Sequence, residues 1–179
     1  MPALRKASSY SKKKVTPFTR ISKKKGKSYV KTVPPQKIVK FTMGNEELFN
    51  NNKLPHHLTL VSVEKVQIRH NALEACRQFI NKQMDTKVAG QYLFKVVPFP
   101  HQILRENKML TGAGADRMQK GMQLSFGKSM GKAAVVKPEE SIFFVAVATP
   151  KAVAITRKIF HQIKSKLPGK TRILYTEKK

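Results

Sequence analysis

Residues 105–132, RENKMLTGAGADRMQKGMQLSFGKSMGK, cut the chain in two. They carry glycine at 112, 114, 121, 127 and 131 and no sustained apolar period, so neither a core helix nor a core strand is expected to run through them. A stretch this long without structure of its own is uncommon in a compact domain and is usually functional or disordered. Its composition favours function. Glycine lets backbone N–H groups approach a phosphate or base closely, and Arg105, Lys108, Arg117, Lys120, Lys128 and Lys132 place positive charge around those amides. Met109, Met118, Met122 and Met130 are soft, adaptable side chains that suit an irregular partner better than a rigid catalytic cage.

Charge narrows the partner. There are 36 Lys and Arg against 10 Asp and Glu, a formal net charge of +26 in 179 residues, and such a chain repels itself unless a polyanion is present. Nucleic acid is the first expectation. A membrane is not expected: the longest apolar run, residues 142–148, is only strand-sized. The first residues, MPALRKASSYSKKK, lack the apolar core of a secretory signal, and the single Cys76 can form no internal disulfide, which fits a reducing cytoplasm.

Residues 1–40 contain no acid, and lysines cluster between Ser, Thr, Pro and Gly. Residues 1–36 are expected to be a basic arm, disordered when free and folding along a polyanion, with Lys12, Lys13, Lys14, Arg20, Lys23, Lys24 and Lys25 as its cations and Tyr10, Phe18 and Tyr29 as stacking or anchoring groups. Residues 37–179 are expected to form the domain proper, with a functional loop at 98–132. Within it, 37–41 (KIVKF) reads as a strand and 58–68 (LTLVSVEKVQI) as one long strand. Asn71 and Glu74 resemble a capping box opening a helix whose apolar stripe is Ala72, Leu73, Cys76, Phe79, Ile80 and Met84. Cys76 lies inside that stripe and reads as a small core hydrophobe, not a nucleophile. His56 and His57 have no ligand-spaced partners and read as surface or RNA-facing histidines.

Residues 91–97, 133–136 and 142–148 are further expected strands. Thr149 and Pro150 cap a second helix with a stripe of Ala152, Ile155, Ile159, Ile163 and Leu167, and 171–175 (TRILY) closes the chain as a strand. The expected fold is therefore α+β, two layers, with two helices on one side of a mixed sheet.

Nucleotide motifs fail by spacing. Gly127-Lys128-Ser129 ends like a phosphate-binding loop, but Met122 stands where its first glycine is needed. The segment TGAGADR begins as GxG, yet Arg117 occupies the third glycine position and no ribose-binding acid follows a βαβ unit. An enzyme is not expected, and no cofactor is implied. An architectural DNA-binding protein remains an alternative on charge alone, and a nucleotide-using enzyme a weaker one.

Six collinear segments bear on that choice: PFTR at 17–20, KIVKFTMGN at 37–45, QIRHNALEACR at 67–77, HQILRENKMLTGAGADRMQKGM at 101–122, FGKSMGKAA at 126–134 and KLPGKTRI at 166–173. With them the chain resembles the universal large-subunit ribosomal protein L-sixteen family, in its archaeal and eukaryotic form, L-ten-e. The resemblance implies an α/β-hammerhead-like domain on large-subunit ribosomal RNA beside the aminoacyl-tRNA site. It implies neighbouring ribosomal proteins, a monomer within the ribosome and a cytoplasmic location in the large subunit. It also implies that the loop faces the tRNA acceptor arm near the peptidyl transferase centre, through Thr111, Gly112, Ala113, Gly114, Ala115, Asp116, Arg117, Met118, Gln119, Lys120, Gly121 and Met122. Charge and resemblance together add Lys37, Arg69, His70, Arg77 and His101 to the arm and loop cations as expected RNA contacts. Two positions depart from the family: Gln123 and Val135 stand where it usually has arginine.

Overall fold

In the computed structural model, residues 32–106 and 128–178 are described; the expectations for residues 1–31 and 107–127, and for the side chains of Arg105 and Glu106, lie outside them. In chain order the elements are β1 (Thr42–Gly44), α1 (Glu46–Asn50), β2 (His56–Ser62), β3 (Val66–Arg69), α2 (His70–Val88) and β4 (Tyr92–Val96). There follow β5 (Gln102–Glu106), β6 (Lys128–Val136), β7 (Ser141–Val147), α3 (Pro150–Ile163) with a 3-10 turn at Lys164–Lys166, and β8 (Thr171–Glu177).

The α+β class is as expected, but the sheet is not mixed. Five strands pair in the order β1-β4-β7-β2-β8 and three in the order β3-β6-β5, and every pairing is antiparallel. The helical crossovers create no parallel neighbours. Helix α2 joins strands of different sheets, and α3 joins β7 to β8, which lie on opposite sides of β2.

Alternation along the strands makes two faces. Leu58, Leu60, Phe94, Val96, Phe143 and Val145 point into the main core, where they meet Leu73, Cys76, Ile80 and Met84 of α2 and Ile159, Phe160 and Ile163 of α3. The helices therefore share one layer, and Thr156 Oγ1 reaches Met84 Sδ between them at 3.7 Å. On the other face Leu93 and Ala146 join Leu54 in a small cluster roofed by Leu48 and Phe49 of α1. Cys76 is in the core as its stripe position required, and burial pushes its thiol pKa up to about 11, which makes it inert.

Four local expectations are corrected. The run 58–68 is two strands in two sheets, because Ser62 N–H donates to Glu140 O, Val63 N–H to Lys170 O and Ser62 Oγ to Glu64 O, turning the backbone between them. Residues 37–41 are not a strand; the short β1 begins at Thr42. Asn71 caps nothing: α2 begins at His70, and Glu74 is drawn to Arg77 instead. The expected loop 98–132 has strands at both feet, β5 and β6. Thr149 does cap α3, accepting from Ala152 N at 3.3 Å with Pro150 in the first turn.

Candidate nucleic-acid interface

Strands β5 and β6 form a ribbon that frames the glycine-rich stretch. Their register sets Gln102 against Ala133, Ile103 against Lys132, Leu104 against Gly131 and Glu106 against Lys128, with a bulge between Leu104 and Arg105. Residues 107–127 thus leave from Glu106 and return at Lys128, directly across the ribbon. At its other end the ribbon is anchored, because β6 is the central strand of the three and pairs with β3, Arg69 opposite Ala133 and Ile68 opposite Ala134.

The anchored end gathers four of the expected RNA contacts. His70, the first residue of α2, is only 4 % exposed, and its ring lies against β6 where position 131 has no side chain: a Cβ there would stand 3.3 Å from Nε2. Burial, and then the positive charges of Lys37, Arg69 and Lys132, push the His70 pKa down to about 4, so the imidazole is neutral at physiological pH. The other ring nitrogen, Nδ1, is buried without a hydrogen-bond partner, as is Oε1 of Gln102. Lys37, Arg69 and Lys132 are therefore three cations from three segments, converging on a buried neutral ring. Such an arrangement can attract phosphate while the buried ring itself carries no charge.

The remaining expected residues are distributed otherwise. Lys128 is exposed at the start of β6. His101 is exposed just before β5, its ring centroid 4.6 Å from that of Phe99. Arg77 stands apart from the group: its guanidinium binds the Glu74 carboxylate through Nε at 2.8 Å and Nη2 at 2.6 Å, and Nη1 lies 3.1 Å from Met43 Sδ. Arg105 belongs to β5 by its backbone. Lys12, Lys13, Lys14, Arg20, Lys23, Lys24, Lys25, Lys108, Arg117, Lys120 and the segment 111–122 lie outside the described residues. Of the two departures from the expected family pattern, Gln123 lies outside them too, and Val135 is half-buried on β6 opposite Gln67.

His56 is not a surface histidine, and His57 is half-buried. His56 is buried and shares a 2.9 Å hydrogen bond between Nδ1 and the Tyr175 hydroxyl, while His57 Nε2 lies 3.1 Å from Leu54 O and its pKa is lowered, first by burial. Both hold β2 to its surroundings. Among the described residues no three His, Cys, Asp or Glu side chains are grouped to hold a metal ion, and no helix is long and apolar enough to cross a membrane.

One feature was missed from the sequence. Phe99 is exposed, and it stacks on Phe41 at 5.4 Å between centroids with the rings 24° apart. The available signal was its setting, Pro98-Phe99-Pro100, since an aromatic between two residues without N–H donors cannot be covered by a strand ladder.

Comparison with known proteins finds relatives over most of the chain. The family described as ribosomal protein L16p/L10e matches residues 14–174. The chain is 39 % identical over 178 residues to the large ribosomal subunit protein uL16 of Methanococcus maripaludis, covering 99 % of this chain and 96 % of that one. It is 40 % identical over 173 residues to the protein of the same name from Staphylothermus marinus, covering 96 % and 93 %. For that of Hyperthermus butylicus the figures are 40 % over 158 residues, covering 88 % and 82 %.

Proposed function

The chain belongs to the ribosomal protein L16p/L10e family, and from that premise we propose that it binds large-subunit ribosomal RNA beside the aminoacyl-tRNA site and helps place the tRNA acceptor arm. Its role as a structural, non-enzymatic component of the large ribosomal subunit, among ribosomal RNA and other ribosomal proteins, follows from the family itself. The finer reading rests on one observation: Lys37, Arg69 and Lys132 converge beside the neutral His70 at the anchored end of a ribbon whose free end carries residues 107–127. Phosphates bound at the anchored end would fix the ribbon's direction, because backbone contacts of this kind position a protein without reading sequence. Arg117 and Lys120, in the glycine-rich stretch between the two strands, would then supply positive charge toward the acceptor arm. The arm residues Lys12, Lys13, Lys14, Arg20, Lys23, Lys24 and Lys25 would run along RNA and neutralise further phosphates. Peptide-bond formation is RNA chemistry in this account.

The experiment is a triple replacement, Gly112→Ala, Gly114→Ala and Arg117→Gln, incorporated into reconstituted large subunits. Full occupancy with slowed aminoacyl-tRNA accommodation or peptidyl transfer is expected. Normal elongation at full occupancy would remove the tRNA-facing role and leave the segment as an RNA-packing extension.

A further inference from the structure

Phe99 is an unusual residue to leave in water. It is 46 % exposed, and it is held that way by its neighbours: Pro98 and Pro100 are both buried while Phe99 and His101 are both exposed. The two prolines dock inward and turn the aromatic outward. Beneath it, Phe41 is half-buried against the main core, and the backbone there is pinned by Val96 N–H donating to Phe41 O at 2.7 Å. Phe99 therefore sits on a fixed ring, 5.4 Å below, and is flanked by the His101 ring at 4.6 Å. The rings step across the surface just before the ribbon begins at Gln102.

Resting on the RNA-binding reading above, we propose that this step is a stacking platform for one unpaired base of ribosomal RNA, with Phe99 as the landing face. Single-stranded bases are taken up on aromatic side chains whose backbone is followed by nearby cations. Both parts are present. Lys40, next to Phe41 in the chain, is exposed, and the chain as a whole carries a net charge of +26, whereas Lys95 lies with Leu93 on the opposite face of the sheet. A rigid ring loses little freedom on stacking, and Phe41 fixes its position before the base arrives. An apolar side chain of a neighbouring protein would also cover Phe99, but it would gain nothing from Lys40 and the net charge of +26, whereas a nucleotide uses both the ring and the positive charge.

The test uses the full chain and two probes of equal charge: an oligoadenylate of about eight nucleotides and an abasic ribose-phosphate oligomer of the same length. Their affinity ratio cancels the phosphate contribution and isolates the base. Wild-type protein should prefer the oligoadenylate, and Phe99→Ala should lower that preference by roughly five- to 150-fold while leaving abasic affinity and melting temperature nearly unchanged. The chain contains no tryptophan, so Phe99→Trp supplies a single reporter whose fluorescence the oligoadenylate should quench and the abasic oligomer should not. Equal affinity of wild type for both probes, the result expected if a protein neighbour covers Phe99, would overturn the platform and leave the RNA reading standing. So would a preference that survives Phe99→Ala, which would place stacking at another aromatic. Failure of both probes to bind would remove the RNA reading and the platform with it.

Discussion

The Glu74 carboxylate accepts from Arg77 twice, through Nε at 2.8 Å and Nη2 at 2.6 Å, with each side chain 12 % exposed. It also accepts from Gln78 Nε2 at 2.9 Å, so one acid one turn into α2 organises the start of the helix. Arg77, expected as an RNA contact, thus has a structural partner one turn away.

Breaking such a sheltered pair strands a charge, which costs far more than the pair contributes relative to an apolar replacement. Glu74→Ala should therefore destabilise the domain by about 3 to 5 kcal/mol, read as a lower midpoint in urea with an unchanged slope. A change below about 0.5 kcal/mol would show that the pair behaves as an exposed one.

Acid should weaken the fold through His70. Its folded pKa is about 4 against 6.5 for the free side chain, so between those values the unfolded chain binds more protons and stability falls as pH falls. The contribution is complete above about 6.5 and is lost by about 4, a loss on the order of 3 kcal/mol. Glu74, whose pKa is lowered chiefly by its hydrogen bond from Arg77, adds a loss of the same sign at the acid end. Melting curves of wild type and His70→Gln across this range provide the check: the variant should lose most of the slope between pH 6.5 and 4. An undiminished slope would place the titration elsewhere.

Gly44 and Gly90 both have positive φ, +95° and +74°, but only Gly44 is crowded, because a Cβ there would strike the Tyr92 carbonyl oxygen. Gly90 faces open space. Gly90→Ala should cost about 1 to 2 kcal/mol, the strain of left-handed backbone alone, and Gly44→Ala distinctly more. Comparing the two in one thermal-unfolding series separates strain from collision, and equal losses would contradict the distinction.

The two long helices were the readable part of this fold, whereas the five-residue α1, Glu46–Asn50, falls in a stretch that reads as turn and loop. Stripes such as Leu73, Cys76, Ile80 and Met84, and the Thr149-Pro150 start of α3, are local patterns that survive any tertiary arrangement. Breaks made by distant partners were not readable: nothing in LTLVSVEKVQI announces that Glu140 and Lys170 will take the backbone bonds of Ser62 and Val63. Strand β5 and the first half of β6, residues 128–132, were hidden for a related reason. Lys128, Gly131 and Lys132 are weak strand formers, and β5 follows closely on two prolines, so the ribbon depends on pairing between the two strands and on β3 on the far side of β6. The site was readable as charge and not as geometry, since only the fold brings Lys37, Arg69 and Lys132 around His70.

The central claim, that this chain works as a built-in part of the large ribosomal subunit, is tested most directly by where it sediments. Native lysate carrying the tagged full chain should be run on a sucrose gradient and the chain followed by its tag. The account predicts co-migration with large subunits and intact ribosomes, retained at physiological salt. A chain that stays at the top of the gradient, or that follows DNA and leaves the subunit peak empty, would contradict it.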